Sequence, residues 1–360
     1  ANGNEVHLNG ATVTGDVIGG NGDSTNKNKV YLLNGAQVTG TVFGGNATSA
    51  NDNEVHLNGA TVTGSVYGGA ANGTGNLLSV KGVNSAGWIA GFQKVSFDTA
   101  GVAAGQHMLT ITDTANRTAL DWNALTATGT ARGIDLIYHE QGIDLSAGYT
   151  AGSVKSALSE DGKSEYDIEA VREGSTVKRI AYNSYQFKDA RTAETVGGET
   201  WGGRSVIGNT TTGNEITVTS GTHNVVYGGW TRDDASSQTA TADKGNSTYN
   251  KVTVDGTATV SGNVYGGMTT VAGGKASHNE VTINGGTLNG HGCVYGGSAN
   301  SGSSADNKVY LNGAQVTGDV YGGNATSADE NEVHLNGATV RGAVFGGAAD
   351  GTGNLLSVKG

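Results

Sequence analysis

One seventeen-residue phrase, Asn53-Glu-Val-His-Leu-Asn-Gly-Ala-Thr-Val-Thr-Gly-Ser-Val-Tyr-Gly-Gly69, recurs along this chain with the same punctuation. Copies close at Gly20, Gly45, Gly69, Gly229, Gly267, Gly297, Gly323 and Gly347, with a worn one at Ile207-Gly208. A period near 24 residues is long enough for one turn of a solenoid and too short for a self-sufficient domain. Each unit must therefore bury its apolar face on its neighbours.

A single copy reads as three short strands separated by corners. In Glu54-Val55-His56-Leu57 the period-2 alternation sends Val55 and Leu57 inward and leaves Glu54 and His56 facing water. Asn58-Gly59 supplies the positive φ of a tight turn. Ala60 to Thr63 is a second strand with Val62 inward, Gly64 allows another bend, Ser65 to Tyr67 is a third strand, and Gly68-Gly69 closes the coil. Strands repeated this way without a helical segment predict an all-β fold, a right-handed parallel β-helix in which each strand pairs with its equivalent one coil along. At a strand spacing of about 4.8 Å the chain would make a rod on the order of 60 Å long.

The columns of such a stack can be followed in the sequence. The first strand position carries Glu5, Lys29, Glu54 and later Glu215, Lys251, Glu280, Lys308, Glu332, with signs that alternate throughout. In-register stacking sets each carboxylate beside an ammonium group, which specifies register more than it stabilises. The neighbouring column His7, Tyr31, His56 and later Tyr310, His334 reads as a surface ladder rather than a metal site, because alternate coils hold its histidines about 10 Å apart. The column from Ile18 and Phe43 through Tyr67, Tyr227, Tyr265, Tyr295, Tyr321 and Phe345 reads as aromatic packing rather than a sugar platform. The asparagine opening each coil, from Asn4 to Asn331, predicts an amide ladder.

From Val83 to about residue 200 the pattern lapses, which divides the chain into regular repeats at 1–82, an irregular insert at 83–200 and regular repeats at 201–360. The alternating runs Trp88 to Phe97, Met108 to Thr112 and Gly133 to Tyr138 predict wider coils of the same solenoid. Tyr166 to Val171 and Val177 to Tyr182 predict a hairpin, and Ser153 to Glu160 a short helix. On a larger scale, Asn28 to Gly82 returns as Asn307 to Gly360 with one leucine fewer and eight substitutions, a super-repeat of about 278 residues. The chain begins and ends inside the pattern, without a capping element at either end, and reads as an excerpt of a longer array.

Composition narrows the function. Sixty-two glycines, no proline and few charges suit turns and short strands. A net charge of −11 without a basic stripe disfavours nucleic acid and membrane-surface docking. Apolar runs of four or five residues fall far short of the roughly 20 that span a bilayer. The single Cys293 precludes an internal disulfide framework and sits where other copies carry Asp16, Thr41 or Ser65. Gly19-Gly-Asn-Gly-Asp23 misses the calcium-binding nonapeptide phase, so no cofactor is expected beyond an isolated calcium ion in the Asn21 to Asn28 loop or near Asp329 and Glu330. No nucleophile elbow is present. Carboxylates of the insert (Asp98, Asp113, Asp121, Asp135, Glu140) are the only candidates for a catalytic pair. Threonine rows such as Thr61 to Thr63 are broken elsewhere by Gln37, Leu288 and Arg341, which is incompatible with a lattice-matching ice-binding face.

The repeated coil, with an insert opening Gly87-Trp-Ile-Ala-Gly-Phe-Gln-Lys-Val95, resembles the β-helical passenger regions of Gram-negative autotransporter adhesins and related giant repetitive surface proteins. The resemblance covers essentially the whole chain. It implies a secreted or outer-membrane-surface stalk or fibre mediating cell-cell, surface or self-association, in a family whose members include some enzymes; no enzymatic activity is expected of this chain. The implied partners are host or bacterial cell-surface molecules, glycans or copies of the chain, with no nucleic acid and no direct membrane insertion of this segment. Candidate contact residues are Trp201, Trp230, Tyr182 and Tyr185, while Trp88 and Trp122 are expected to be buried in wider coils. The alternative is a carbohydrate-active β-helix lyase or hydrolase, which would need two carboxylates beside a cleft.

Overall fold

The computed structural model describes residues 1–360 except 70–72, 147, 160–161, 190–193, 197, 234–238, 243 and 349, and the side chains of 194 and 196. The chain falls into two compact units, Ala1–Glu160 with Tyr166–Ser184 and Asp161–Glu165 with Tyr185–Gly360. Both are parallel β-solenoid, with about 13 turns between them.

In the first unit, strands Glu5–Asn9, Lys29–Leu33, Glu54–Asn58, Leu77–Lys81, Lys94–Asp98 and Leu125–Thr128 lie side by side in that order, all parallel. Register superposes Val30, Val55, Leu78, Val95 and Leu125 in one inward column and Leu32, Leu57, Val80, Phe97 and Ala127 in the next, each at most 2% exposed. Each such aliphatic or aromatic side chain contributes about 1.5–3 kcal/mol of burial. The second unit repeats this wall with Ile216, Val252, Val281, Val309 and Val333. A fourth short ladder precedes the opening asparagine, as in Ser24–Asn26 against Ser49–Asn51 and Ser303–Ala305 against Ser327–Asp329. Single-coil reading could not show it, because its small residues (Ala50, Ser304 and Ala328, all buried) carry no alternation of large apolar groups.

The opening asparagines form a continuous amide ladder within each unit. In unit 1 it runs Asn4, Asn28, Asn53, Asn76, and in unit 2 Asn214, Asn250, Asn279, Asn307, Asn331, Asn354. At each step one Oδ1 accepts from both the backbone N–H and the Nδ2 of the preceding asparagine. Asn250 N and Nδ2, for example, donate to Asn279 Oδ1 at 3.0 and 3.1 Å. Asn279 Nδ2 also donates to Ser247 O at 3.0 Å, so a side chain only 1% exposed leaves neither an amide hydrogen nor its carbonyl unused.

The ladder explains the Gly-Gly that ends every copy. A Cβ on Gly267 would lie 2.5 Å from Asn279 Nδ2, and one on Gly266 would lie 2.4 Å from Gly296 O of the next coil. The first glycine lets backbones approach and the second makes room for the amide. The residue before each ladder asparagine adopts left-handed backbone. It is glycine at Gly3, Gly75, Gly213 and Gly353, yet Lys27, Asp52, Tyr249, His278, Asp306 and Glu330 hold φ of 53–59° there. Variable residue types concealed this corner from the sequence.

The insert continues the solenoid. Asn84–Ala90 pairs with Thr61–Tyr67 in parallel and then with His107–Ile111, which pairs with Ile134–His139. Parallel pairing therefore continues across Val83. The hairpin is present as Ser164–Glu173 and Thr176–Gln186 joined by Gly174-Ser175, and its second strand pairs antiparallel with Ile134–His139. Ser153 to Glu160 is not a helix, and residue 160 lies outside the described residues. Val154–Leu158 is a strand whose residues alternate exposed and half-buried, the period of a pleated edge rather than of a helix face. The worn copy also ends elsewhere: Trp201, Gly203 and Arg204 lie opposite Tyr227, Gly229 and Trp230, so the coil closes at Gly203 and not at Ile207-Gly208.

Asn279→Leu would take the acceptor from the buried Asn250 N–H, one of three acceptors from Asn250 Nδ2, and a donor from the Ser247 carbonyl. Urea denaturation of unit 2 is expected to show a loss of about 3 kcal/mol, against at most about 1 kcal/mol for the surface substitution Lys251→Ala. The charge column makes a second prediction. Burial raises the Glu54 carboxyl, but hydrogen bonds from His56 and Lys29 outweigh it, and Glu332 is likewise held low by His334 and Lys308. Lys29, Lys251 and Lys308 are raised by hydrogen bonds to Glu54, Glu280 and Glu332. The carboxylate contribution is present above the ordinary value of about 4.3 and is lost as pH falls through the depressed values. The lysine contribution is present below about 10.4 and is lost as pH rises through the raised values. Thermal melts should be flat between these limits and fall off at both ends.

Candidate functional site: a stacked arginine and aromatic cluster

Three of the four candidate contact residues meet in unit 2. The strands Glu199–Ser205 and Val225–Thr231 run parallel and set Arg204 opposite Trp230. The Arg204 guanidinium carbon lies 4.8 Å from the Trp201 ring centroid, 4.7 Å from Trp230 and 5.3 Å from Tyr185. Arg232 approaches Trp230 at 4.9 Å, and Trp230 stacks on Tyr227 at 4.7 Å. Flat, weakly hydrated guanidinium groups thus sit against electron-rich ring faces, a geometry worth about 0.5–2 kcal/mol per contact as water is excluded. Trp201 is only 1% exposed, whereas Trp230, Tyr185 and both arginines are half-buried.

Tyr182 does not join them. It lies in unit 1, fully buried, with its hydroxyl donating to Gly129 O at 2.8 Å, and burial pushes its phenol well up. Tyr182 and Trp201 therefore present no surface to a partner, because both fill core positions that a coil of this width would otherwise leave empty. Trp122 is buried as expected and Trp88 is half-buried.

A buried carboxylate braces the same region of unit 2. Glu165, wholly inaccessible, accepts from Ser205 Oγ at 3.0 Å, from Asn209 Nδ2 at 3.0 Å, from Ile207 N at 3.3 Å and from Val206 N. These donors replace hydration that the buried carboxyl group has lost.

The aromatic column continues from this cluster. Tyr227, Tyr265, Tyr295, Tyr321 and Phe345 stack with centroids 4.8–5.1 Å apart and planes within 10° of one another. Ring faces between neighbours are covered, and a sugar ring needs an uncovered face, so this column packs rather than offering a platform. Burial raises the phenols of Tyr227 and Tyr265, which stay neutral. The imidazoles behave similarly. His7, Tyr31 and His56 stack at 4.4 and 4.5 Å, while His56 Nε2 bonds Glu54 at 2.7 Å.

The carboxylates of the insert are spent locally. Asp98 pairs with Lys81 at 2.7 Å, Asp113 accepts from Ala115 N and Asn116 N, and Asp121 accepts from Asn123 N. Asp135 faces His107 and Arg179, and Glu140 faces Lys178. Asp329 is held below its ordinary range by the Ser327 hydroxyl and Thr352 N–H, donors of its own loops. Among the described residues, no three His, Cys, Asp or Glu side chains converge as a metal site would need. No described helix is long and apolar enough to cross a membrane.

Comparison with known protein families, with curated proteins and with solved structures returned no match. The arginines of the cluster escaped sequence reasoning because the preceding coil was closed at the wrong glycine. Aligning Trp201-Gly-Gly-Arg204 with Tyr227-Gly-Gly-Trp230 would have stacked Arg204 on Trp230.

Arg204→Ala removes the shared cation and is expected to cost about 1–2 kcal/mol. It should also make tryptophan emission more accessible to acrylamide, with partial recovery in Arg204→Lys. Unchanged quenching and stability would show that the stacking is incidental.

Proposed function

We propose that this chain is a length of a secreted or cell-surface β-solenoid of a Gram-negative bacterium, a stalk or fibre that mediates cell-cell, surface or self-association without catalysis or a cofactor. The observation that carries this reading is the amide ladder with its accompanying charge and aromatic columns. Each regular coil satisfies donors, charges or ring faces of its neighbour, so one regular coil templates the next and length costs no new design. Such a structure suits spanning distance better than enclosing a reaction. The local engagement of every insert carboxylate considered above also favours this reading over a lyase or hydrolase.

The contact patch on this reading is the half-buried face of the cluster, Trp230 with Arg204, Arg232 and Tyr185. Aromatic and arginine side chains are the types that dominate protein contact surfaces. Beads coated with the chain should clump with one another or bind bacterial cells, animal cells or a glycan array, and the double variant Arg204→Ala with Trp230→Ala should weaken that binding. No association above beads carrying an unrelated β-solenoid would sink the proposal.

A further inference from the structure

Asn-Gly is chemically the most labile pair in a polypeptide, because an unbranched glycine lets its backbone nitrogen reach the preceding carboxamide. The chain places this pair repeatedly at its corners, and among the described residues the fold protects several copies twice over. At Asn312-Gly313 the glycine N–H is tied to Asn336 O at 2.8 Å, and the asparagine amide sits in a second side-chain ladder, Asn336 to Asn312 to Asn284, at 2.8 Å per step. Gly285 N and Gly337 N are held likewise by Asn312 O and Lys359 O at 2.8 and 2.9 Å. Nitrogen attack at these corners requires a ladder bond to break and the side chain to leave its partner.

Asn58-Gly59 has neither restraint. The register sets Leu33 opposite Asn58 in the coil before and Lys81 opposite it in the coil after, so Asn58 has no amide neighbour at the matching position on either side. The Lys81 carbonyl, counterpart of the Lys359 carbonyl that holds Gly337, is occupied instead by Asn84 Nδ2 at 2.9 Å. Asn84 Oδ1 accepts from Ala60 N at 2.8 Å, passing over Gly59. Among the described residues, the Gly59 N–H and the Asn58 carboxamide make no hydrogen bond, and Gly59 is exposed. Asn289-Gly290 shares these features, with both residues exposed and neither the glycine N–H nor the side-chain amide bonded.

We infer that Asn58 and Asn289 are sites of spontaneous modification in the folded protein. Gly59 N attacks Asn58 Cγ, the new C–N bond forms as the Cγ–Nδ2 bond breaks, and ammonia leaves with the proton from the glycine nitrogen. Water then opens the succinimide on either side to aspartate or isoaspartate. Asn289 and Gly290 react in the same way. Each event adds a negative charge at a corner of an already acidic solenoid and, through the isoaspartate branch, an extra backbone methylene.

The test is to incubate the folded chain at mildly alkaline pH and follow each Asn-Gly pair by peptide mass mapping. Asn284 and Asn289 lie on one tryptic peptide and serve as a paired comparison. Asn58 and Asn289 should convert at least roughly tenfold faster than Asn284 and Asn312, the rate equivalent of one ladder hydrogen bond, and the difference should vanish in denaturant. Asn84→Ala, which releases the Lys81 carbonyl to Gly59, should slow Asn58 while leaving Asn289 unchanged. Equal rates at all four sites in the folded chain would overturn the inference.

Discussion

A shared carboxamide oxygen, accepting from the backbone and the side chain of the asparagine one coil earlier, is the contact on which the regular architecture depends. It satisfies buried polar groups that a solenoid corner cannot otherwise pair, and it fixes coil spacing and coil register together. The Gly-Gly that ends each repeat follows from it, since Cβ atoms at Gly266 and Gly267 would strike the next coil's carbonyl and the amide itself. The inward valines and leucines then stack as a consequence of register. Their burial supplies most of the stabilising free energy, but apolar contact is non-directional and would tolerate many registers. The amide ladder tolerates one.

The outer columns add discrimination rather than strength. Lys29 with Glu54, Lys251 with Glu280 and Lys308 with Glu332 meet at 3.0–3.2 Å, partly exposed, where each pair contributes little. A slip by one residue along the strand would turn these charges into the core, and a missing coil would bring like signs together. Stacked imidazole and phenol rings beside them reinforce the same alignment. Three weak columns and one strong ladder thus agree on a single arrangement, the consistency that minimally frustrated folding requires.

Where the repeat is broken, residues become available for something other than propagation. The cluster of Arg204, Arg232, Trp230 and Tyr185 sits at the first closing coil of unit 2 and is not repeated along it. The column Arg204, Trp230, Met268, Ser298, Asn324 loses its large flat groups within three coils. A similar break at Asn84 diverts a carbonyl from Gly59 and exposes a corner that is closed at the equivalent steps of unit 2. Both features arise where a side chain departs from its column, Arg204 above Trp230 and Asn84 beside Gly59.

The 24-residue period, the strand alternation and the identity of successive columns were enough to derive a parallel β-solenoid, its inward residues and its three outer ladders. They sufficed because a stacked fold makes each contact between residues one period apart, so spatial neighbours can be read by counting. Counting fails wherever spacing changes. The closing glycine of the Trp201 coil, the strand at Val154–Leu158, the left-handed corner beneath Lys27 and Tyr249, and the arginines beside Trp230 all lie where coil length or residue type departs from the repeat. Of the four proposed contact residues, composition could say only that they are large and aromatic. Packing in three dimensions buried Tyr182 and Trp201 and left Trp230 and Tyr185 half-exposed, because the width of an irregular coil is set by which side chains fill it and not by any period in the chain.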